Sequence, residues 1–250
     1  MFRPRVIPVL LLRGNALVKT RKFGDGAYIG DPINAVRIFN DLRADELVFL
    51  DIMASKENRT VSLDFVRKVG EESNMPFAAG GGIRTLKDIH NIMSAGAEKV
   101  ILNTHAALNP NFVEEAANAF GSSTIVVCID VKKNFVGQRR TWVLGGTKST
   151  GHSPEEFARQ MEQRGAGEII VQSISRDGMM NGYDIDLIKA ISDSVTIPVI
   201  ALGGAGSAQH LREAHVEGHA TGLAAGSLFV FQGPKRGVLI NYPERSEILL

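Results

Sequence analysis

The chain repeats itself. Ala44-Asp45-Glu46-Leu47-Val48-Phe49-Leu50-Asp51 lines up with Ala166-Gly167-Glu168-Ile169-Ile170-Val171-Gln172-Ser173, 122 positions later (44 against 166), and at the same offset Pro76–Ile83 matches Pro198–Ala205. The correspondence runs on to Ala107 and Phe229. Units that recur in this way cannot bury their apolar faces alone and must stack on one another. Aligning the end of the first apolar run, Leu11, with the end of the fifth, Asp130, divides the chain into two related halves.

Short apolar runs alternate with charge-faced helical patterns, the βαβα order of a parallel sheet with helices outside. The runs are Val6–Leu11, Leu47–Ile52, Phe77–Gly80, Lys99–Asn103, Ile125–Asp130, Ile169–Ser173, Pro198–Leu202 and Thr221–Ala225. Helices are predicted at about 32–43, 58–73, 85–95, 110–120, 153–165, 185–193 and 207–217. Eight such units in 250 residues predict one α/β domain over 1–250, a (β/α)8 TIM barrel made of two half-barrels. A hydrophobic content of 44% supplies one sizeable core.

A formal net charge of +1 favours neither nucleic acid nor an anionic membrane, so any anion selectivity must be local. The one cysteine, Cys128, lies in an apolar run and reads as a small buried residue, and the absence of a disulfide framework fits a reducing compartment. Arg5–Leu12 is too short in its apolar part for a signal peptide and reads as a first strand, so a cytoplasmic location is expected. The histidines show no metal-ligand spacing, and no cofactor or metal is predicted.

Two segments, 12–31 and 131–152, are far longer than ordinary βα loops. The first, with Gly14, Lys19, Lys22, Gly24 and Gly26, reads as a mobile, positively charged loop; in the second, Arg139–Gly146 reads as a small hairpin. Glycine lets backbone N–H groups approach phosphate oxygens closely. Gly80-Gly81-Gly82 with Asn103-Thr104 would form one anion site. Its repeat mate is Gly203-Gly204 with Ala225-Gly226-Ser227, joined by Asp177-Gly178. Two such sites across one mouth predict a ligand with a phosphate at each end, unless one site is an evolutionary relic.

Alternation through Val126 and Cys128 aims Asp130 at the barrel axis, where a general acid or base would stand; a structural loop cap is the alternative. Asp51 and Asp177 are further carboxylates at the same face and read as positional. At the other end Arg5, Glu46, Lys99 and Glu168 open strands 1, 2, 4 and 6, and parity points them inward. They could close the barrel floor as a compensated ring, or be solvated strand ends.

These blocks together resemble the cyclase subunit family of imidazole glycerol phosphate synthase over essentially the whole chain. The resemblance rests on Arg5-Val6-Ile7-Pro8, Asp45–Asp51, Gly80–Ile83, Asp130-Val131-Lys132, Gly165–Glu168, Arg176-Asp177-Gly178 and Gly182-Tyr183-Asp184. It implies a glutaminase partner on the barrel floor, forming a heterodimer, and ammonia passing through the interior. Arg5, Glu46, Lys99 and Glu168 would be the ammonia gate, Lys19 would sit on the mobile first loop, and the glycine sites would hold a bisphosphorylated ligand. The family places an Asp at the end of strand 1, where this chain has Leu11; Ser175, Leu202 and an extra Gly226 also depart from it. A paralogous branch is similar through Ile7–Leu12, Tyr28–Asn40, Phe229–Pro234 and Val238–Pro243. That similarity implies ammonia delivery for acetamidino sugars of bacterial surface polysaccharide, beside a sugar amidotransferase. The alternative is the histidine-pathway cyclase, which forms imidazole glycerol phosphate and an aminoimidazole carboxamide ribonucleotide.

Overall fold

Apolar side chains stand on both faces of nearly every predicted strand, so both faces must be covered, as in a parallel sheet wrapped by helices. The computed structural model describes residues 3–244 and 247; the outermost residues of the expected 1–250 span lie outside the described ones. Eight strands form the barrel: β1 (Arg5–Arg13), β2 (Leu47–Asp51), β3 (Phe77–Gly80), β4 (Lys99–Leu102), β5 (Ile125–Lys133), β6 (Glu168–Ser173), β7 (Val199–Leu202) and β8 (Gly222–Ala225). Each pairs in parallel with the next, and β8 pairs with β1 through Arg5↔Gly222 to Pro8↔Ala225, which closes the sheet. The architecture is the (β/α)8 barrel that the repeat predicts.

Strand parity divides the apolar residues into two cores. Val6, Leu10, Phe49, Phe77, Leu102 and Val127 face the helices, while Ile7, Val9, Val48, Ala78, Val126 and Ile170 fill the barrel interior. Each such Val, Leu or Ile, fully buried, stabilises the fold by roughly 1.5–3 kcal/mol. The helices start where side-chain caps satisfy their first N–H groups, each cap contributing about 1 kcal/mol. Asp31 caps Pro32–Asp41, Thr85 with Asp88 boxes Leu86–Ser94, and Ser153 with Glu156 boxes Pro154–Gln163. The helix predicted from 58 begins only at Leu63, because Ser62 caps it and Arg59 is drawn to Asp51 instead. Two short helices, Thr104–Leu108 and Ser227–Val230, were not predicted.

Both long segments correct their sequence reading. Residues 12–31 form a ribbon in place of a loose loop: Gly14 turns the chain at φ +61°, Ala16–Lys19 folds back antiparallel on β1, and Ala27–Gly30 pairs with it in turn. Lys19 is thereby a buried strand residue. In the second segment Arg139–Gly146 is not a hairpin of its own. Arg139–Val143 pairs with the extension of β5, from Lys133↔Arg139 to Asp130↔Trp142, and then turns to Lys148–Ser149.

After β8 and Ser227–Val230, the chain makes a small hairpin from Phe231–Gln232 and Gly237–Val238. Arg236 donates from this hairpin to the carbonyls of Gly178 and Met179, in the loop after β6. Residues 239–242 then descend the outside of the barrel. Tyr242 stacks on Phe229, donates its hydroxyl to Val6 O and accepts from the Asp45 N–H near the floor.

Candidate functional site

The floor of the barrel is a ring of four charges. Glu46, just before β2, accepts from Arg5 Nη1 at 2.5 Å and from Lys99 Nζ at 3.3 Å; Glu168 accepts from Arg5 Nη2 at 2.8 Å and from Lys99 Nζ at 3.1 Å. Burial opposes the charge on Arg5, but Glu46 and Glu168 overcome it and hold the guanidinium above its ordinary pKa. One acceptor of the ring, Glu168 Oε2, is buried without a hydrogen-bond partner. Outside the ring Asp45 pairs with Arg3 and accepts the Val6 N–H, which fixes the start of β1.

Above the ring the interior side chains are apolar, and at the far end they open into a cavity of about 480 Å³. Asp130 stands in its wall, 6% exposed, as strand alternation predicts. Asn103 Nδ2 donates to Asp130 Oδ2 at 3.1 Å, and Cys128 Sγ lies 3.6 Å from Oδ1. Burial pushes the Asp130 carboxyl up to about 7, helped by the negative charge of Asp177, while the bonds from Cys128 and Asn103 pull the other way. A carboxyl poised near neutrality can both take and give a proton. Across the mouth Leu11 packs in the interior apolar cluster and offers no such group.

The structure gathers the two predicted anion sites separately. Gly81, Gly82, Asn103 and Thr104 line the large cavity. A Cβ on Gly82 would meet Arg59 O at 1.8 Å, so only glycine lets this backbone pass. Asp51 holds the neighbouring turn, accepting from the Met53 and Ala54 N–H groups and from Arg59. Thr104 Oγ1 accepts the Leu144 N–H, so the second ribbon closes over this site. The rim carries Arg13, Lys56, Arg84 and His105, four groups able to carry positive charge. Burial, with Arg84 nearby, holds the His105 imidazole below its usual pKa.

Lys19, Asp177, Gly178, Gly203, Gly204, Ala225, Gly226 and Ser227 line a slot of about 10 Å³. Lys19 Nζ lies 3.4 Å from Asp177 Oδ1, and Thr20 donates to Asp177 Oδ2 at 3.1 Å. A Cβ on Gly226 would stand 2.8 Å from Lys19 Nζ, so the glycine makes room for the lysine. Ser227 Oγ is buried with no hydrogen-bond partner, a polar atom free to meet an anion. Thr20 and Arg236 complete this region; sequence reasoning missed both, since their partners lie 157 and 58 residues away. Among the described residues no cluster of three or more His, Cys, Asp or Glu could hold a metal ion. No helix among them is long and apolar enough to cross a membrane.

Fold and site define a duplicated (β/α)8 barrel with a ligand mouth at the C-terminal ends of its strands, the usual position for the active site of such barrels. The family model described as histidine biosynthesis protein matches residues 5–234. The chain belongs to that family, on a HisF-like paralogous branch. It is 47% identical over 248 residues, 99% of this chain and 98% of the other, to a Leptospira borgpetersenii protein provisionally named imidazole glycerol phosphate synthase subunit HisF. A Pseudomonas aeruginosa protein provisionally named as subunit hisF2 is 44% identical, covering 99% of both chains. The imidazole glycerol phosphate synthase subunit HisF of Alkaliphilus metalliredigens is 45% identical over 229 residues, 92% of this chain and 91% of that one.

Proposed function

We propose that this barrel is the ammonia-receiving subunit of a glutamine amidotransferase, serving acetamidino-sugar formation in surface polysaccharide. A glutaminase subunit docks on the floor. Ammonia enters through Arg5, Glu46, Lys99 and Glu168 and leaves at the mouth, toward a sugar amidotransferase. The observation that carries the reading is the pairing of a complete ring with an incomplete mouth: four ion pairs close the floor, while Leu11 stands where a second carboxylate would face Asp130. The apolar interior suits neutral ammonia, because an ammonium ion would lose its hydration there uncompensated. Glu168 Oε2 is an unfilled acceptor for the incoming N–H. The two glycine-lined sites hold the phosphates of a bisphosphorylated ligand, with Lys19 and Ser227 at one end and Asn103 and Thr104 at the other.

Asp130 supports a second reading, the histidine-pathway cyclase, since a single carboxyl near neutrality can serve as both acid and base. One assay separates them: turnover of the aminoimidazole-ribonucleotide precursor by the purified chain with saturating ammonium salt, which needs no partner. Ammonia delivery predicts no turnover, with the precursor still bound; turnover at the rate of ordinary cyclases would establish the second reading. Leu11→Asp should then create measurable cyclase activity in a chain that lacks it. Lys99→Ala should uncouple glutamine hydrolysis from amidination in the complex, and unchanged coupling would remove the gate assignment.

A further inference from the structure

The overall charge of +1 conceals a strong local excess. Between Val131 and His152 stand Lys132, Lys133, Arg139, Arg140 and Lys148, and no Asp or Glu. The ribbon places four of these cations directly opposite one another, Lys133↔Arg139 and Lys132↔Arg140. Like charges in cross-strand pairs destabilise a sheet, so the fold gains nothing from this arrangement. Among the described residues, only Arg139 of these cations meets a carboxylate, Asp184 at 2.7 Å. Lys132 lies over the Trp142 ring at 4.9 Å, and Arg140 donates to Arg139 O and Gln138 Oε1.

At the tip, Phe135 is 99% exposed and Val136 61%. They are not on a slack loop. Asn134 accepts the Val136 and Gln138 N–H groups on its side chain, and its own N–H bonds Gln138 O, so the turn holds both apolar side chains outward. Because neighbouring strand residues point to opposite faces, Lys133 and Arg139 lie on one side of the ribbon and Lys132 and Arg140 on the other.

We infer that the tip Phe135-Val136, with the cations around its base, is a peg that inserts into an anionic lipid surface. An apolar end backed by cations on both faces matches a headgroup layer, which surrounds an inserted element, better than a protein, which would meet one face. Two apolar side chains are also too small an area for a stable protein interface, which buries about 1,200 Å² or more. The peg rises from the C-terminal end of β5, opposite the charged ring, so adsorption would turn the mouth to the membrane and leave the floor free. Binding would be weak and reversible, each cation near the surface strengthening it roughly fivefold.

The only tryptophan of the chain, Trp142, reports on the ribbon itself. The full chain is mixed with vesicles of phosphatidylcholine alone, or with about one third phosphatidylglycerol, and followed by Trp142 emission and co-sedimentation. Adsorption and a blue shift on the anionic vesicles only, weakened by salt, are expected. Phe135→Ser and Lys133→Glu should each reduce adsorption at least fivefold, and both residues are exposed, so the fold should not suffer. No adsorption overturns the inference. So does adsorption that Phe135→Ser leaves unchanged, which would be charge attraction without insertion. A photo-cross-linking residue at position 135 that labels an acidic protein in cells, with no lipid labelled, would overturn it in favour of a protein partner.

Discussion

The β3–β4 site and the β7–β8 site descend from one repeated unit and keep its backbone, yet one opens into about 480 Å³ and the other into about 10 Å³. In both, paired glycines at positive φ bring the chain against a neighbouring carbonyl, Arg59 O for Gly82 and Gly182 O for Gly204. The difference comes from what lies over them. The first ribbon drives Lys19 into the β7–β8 slot beside Asp177, while over the β3–β4 site Phe23, Gly24, Leu144 and Gly145 of the two ribbons stand in the cavity wall without filling it. Duplication thus supplies two like cradles, and the ribbons make them unlike.

The largest test addresses what the cradles share. Gly82→Ala and Gly204→Ala should each destabilise the fold by more than about 3 kcal/mol in chemical denaturation, since a Cβ would stand 1.8 Å and 2.1 Å from backbone oxygen. A severe loss at one and a mild loss at the other would break the equivalence of the two halves. Next is the carboxyl that the second half carries, Asp130, where the first half has Leu11. The folded protein holds Asp130 up to about 7, against an ordinary value near 3.8, so the stability gained from its neutral form is fully present below the unfolded value. That gain is lost as pH rises through about 7. Asp130→Asn should accordingly gain on the natural chain by about 4 kcal/mol between acid and neutral pH, read from denaturation midpoints; a flat difference would mean that water reaches the carboxylate.

A smaller effect distinguishes the slots. Lys19→Met should weaken inorganic phosphate binding at the β7–β8 slot about tenfold and leave the β3–β4 site unchanged, as followed by NMR titration of Gly203, Gly204, Gly81 and Gly82 amides. Equal weakening at both would mean that the ribbon acts on the whole mouth. Last, Thr104→Val should cost about 1 kcal/mol by orphaning the Leu144 N–H, with slower exchange replaced by faster exchange at that amide alone.

The barrel, the inward aim of Asp130 and the meeting of Arg5, Glu46, Lys99 and Glu168 were legible because a strand has a period of two and the chain repeats. Lys19 was read onto a mobile loop because Ala16–Lys19 is only four residues long, too short to announce a strand, and its pairing with β1 is set by the turn at Gly14. The Arg59–Asp51 and Thr20–Asp177 bonds had no signature either: nothing local selects one carboxylate among several for a given donor. The cavity's breadth was equally invisible, since it depends on where the ribbons come to rest.

The closure of the sheet between β8 and β1 has a bearing on how the protein is made. Strands β1 to β4 leave the ribosome first, and the half they form has two bare edges. The edge of β1 finds its partner only when Gly222–Ala225 emerges, and the Tyr242 clasp on Val6 and Asp45 comes later still. For most of its synthesis the nascent chain therefore carries an unpaired apolar strand, a target for chaperones and a seed for aggregation. The pairing of β8 with β1 sets the moment at which that exposure ends, and the clasp then secures it.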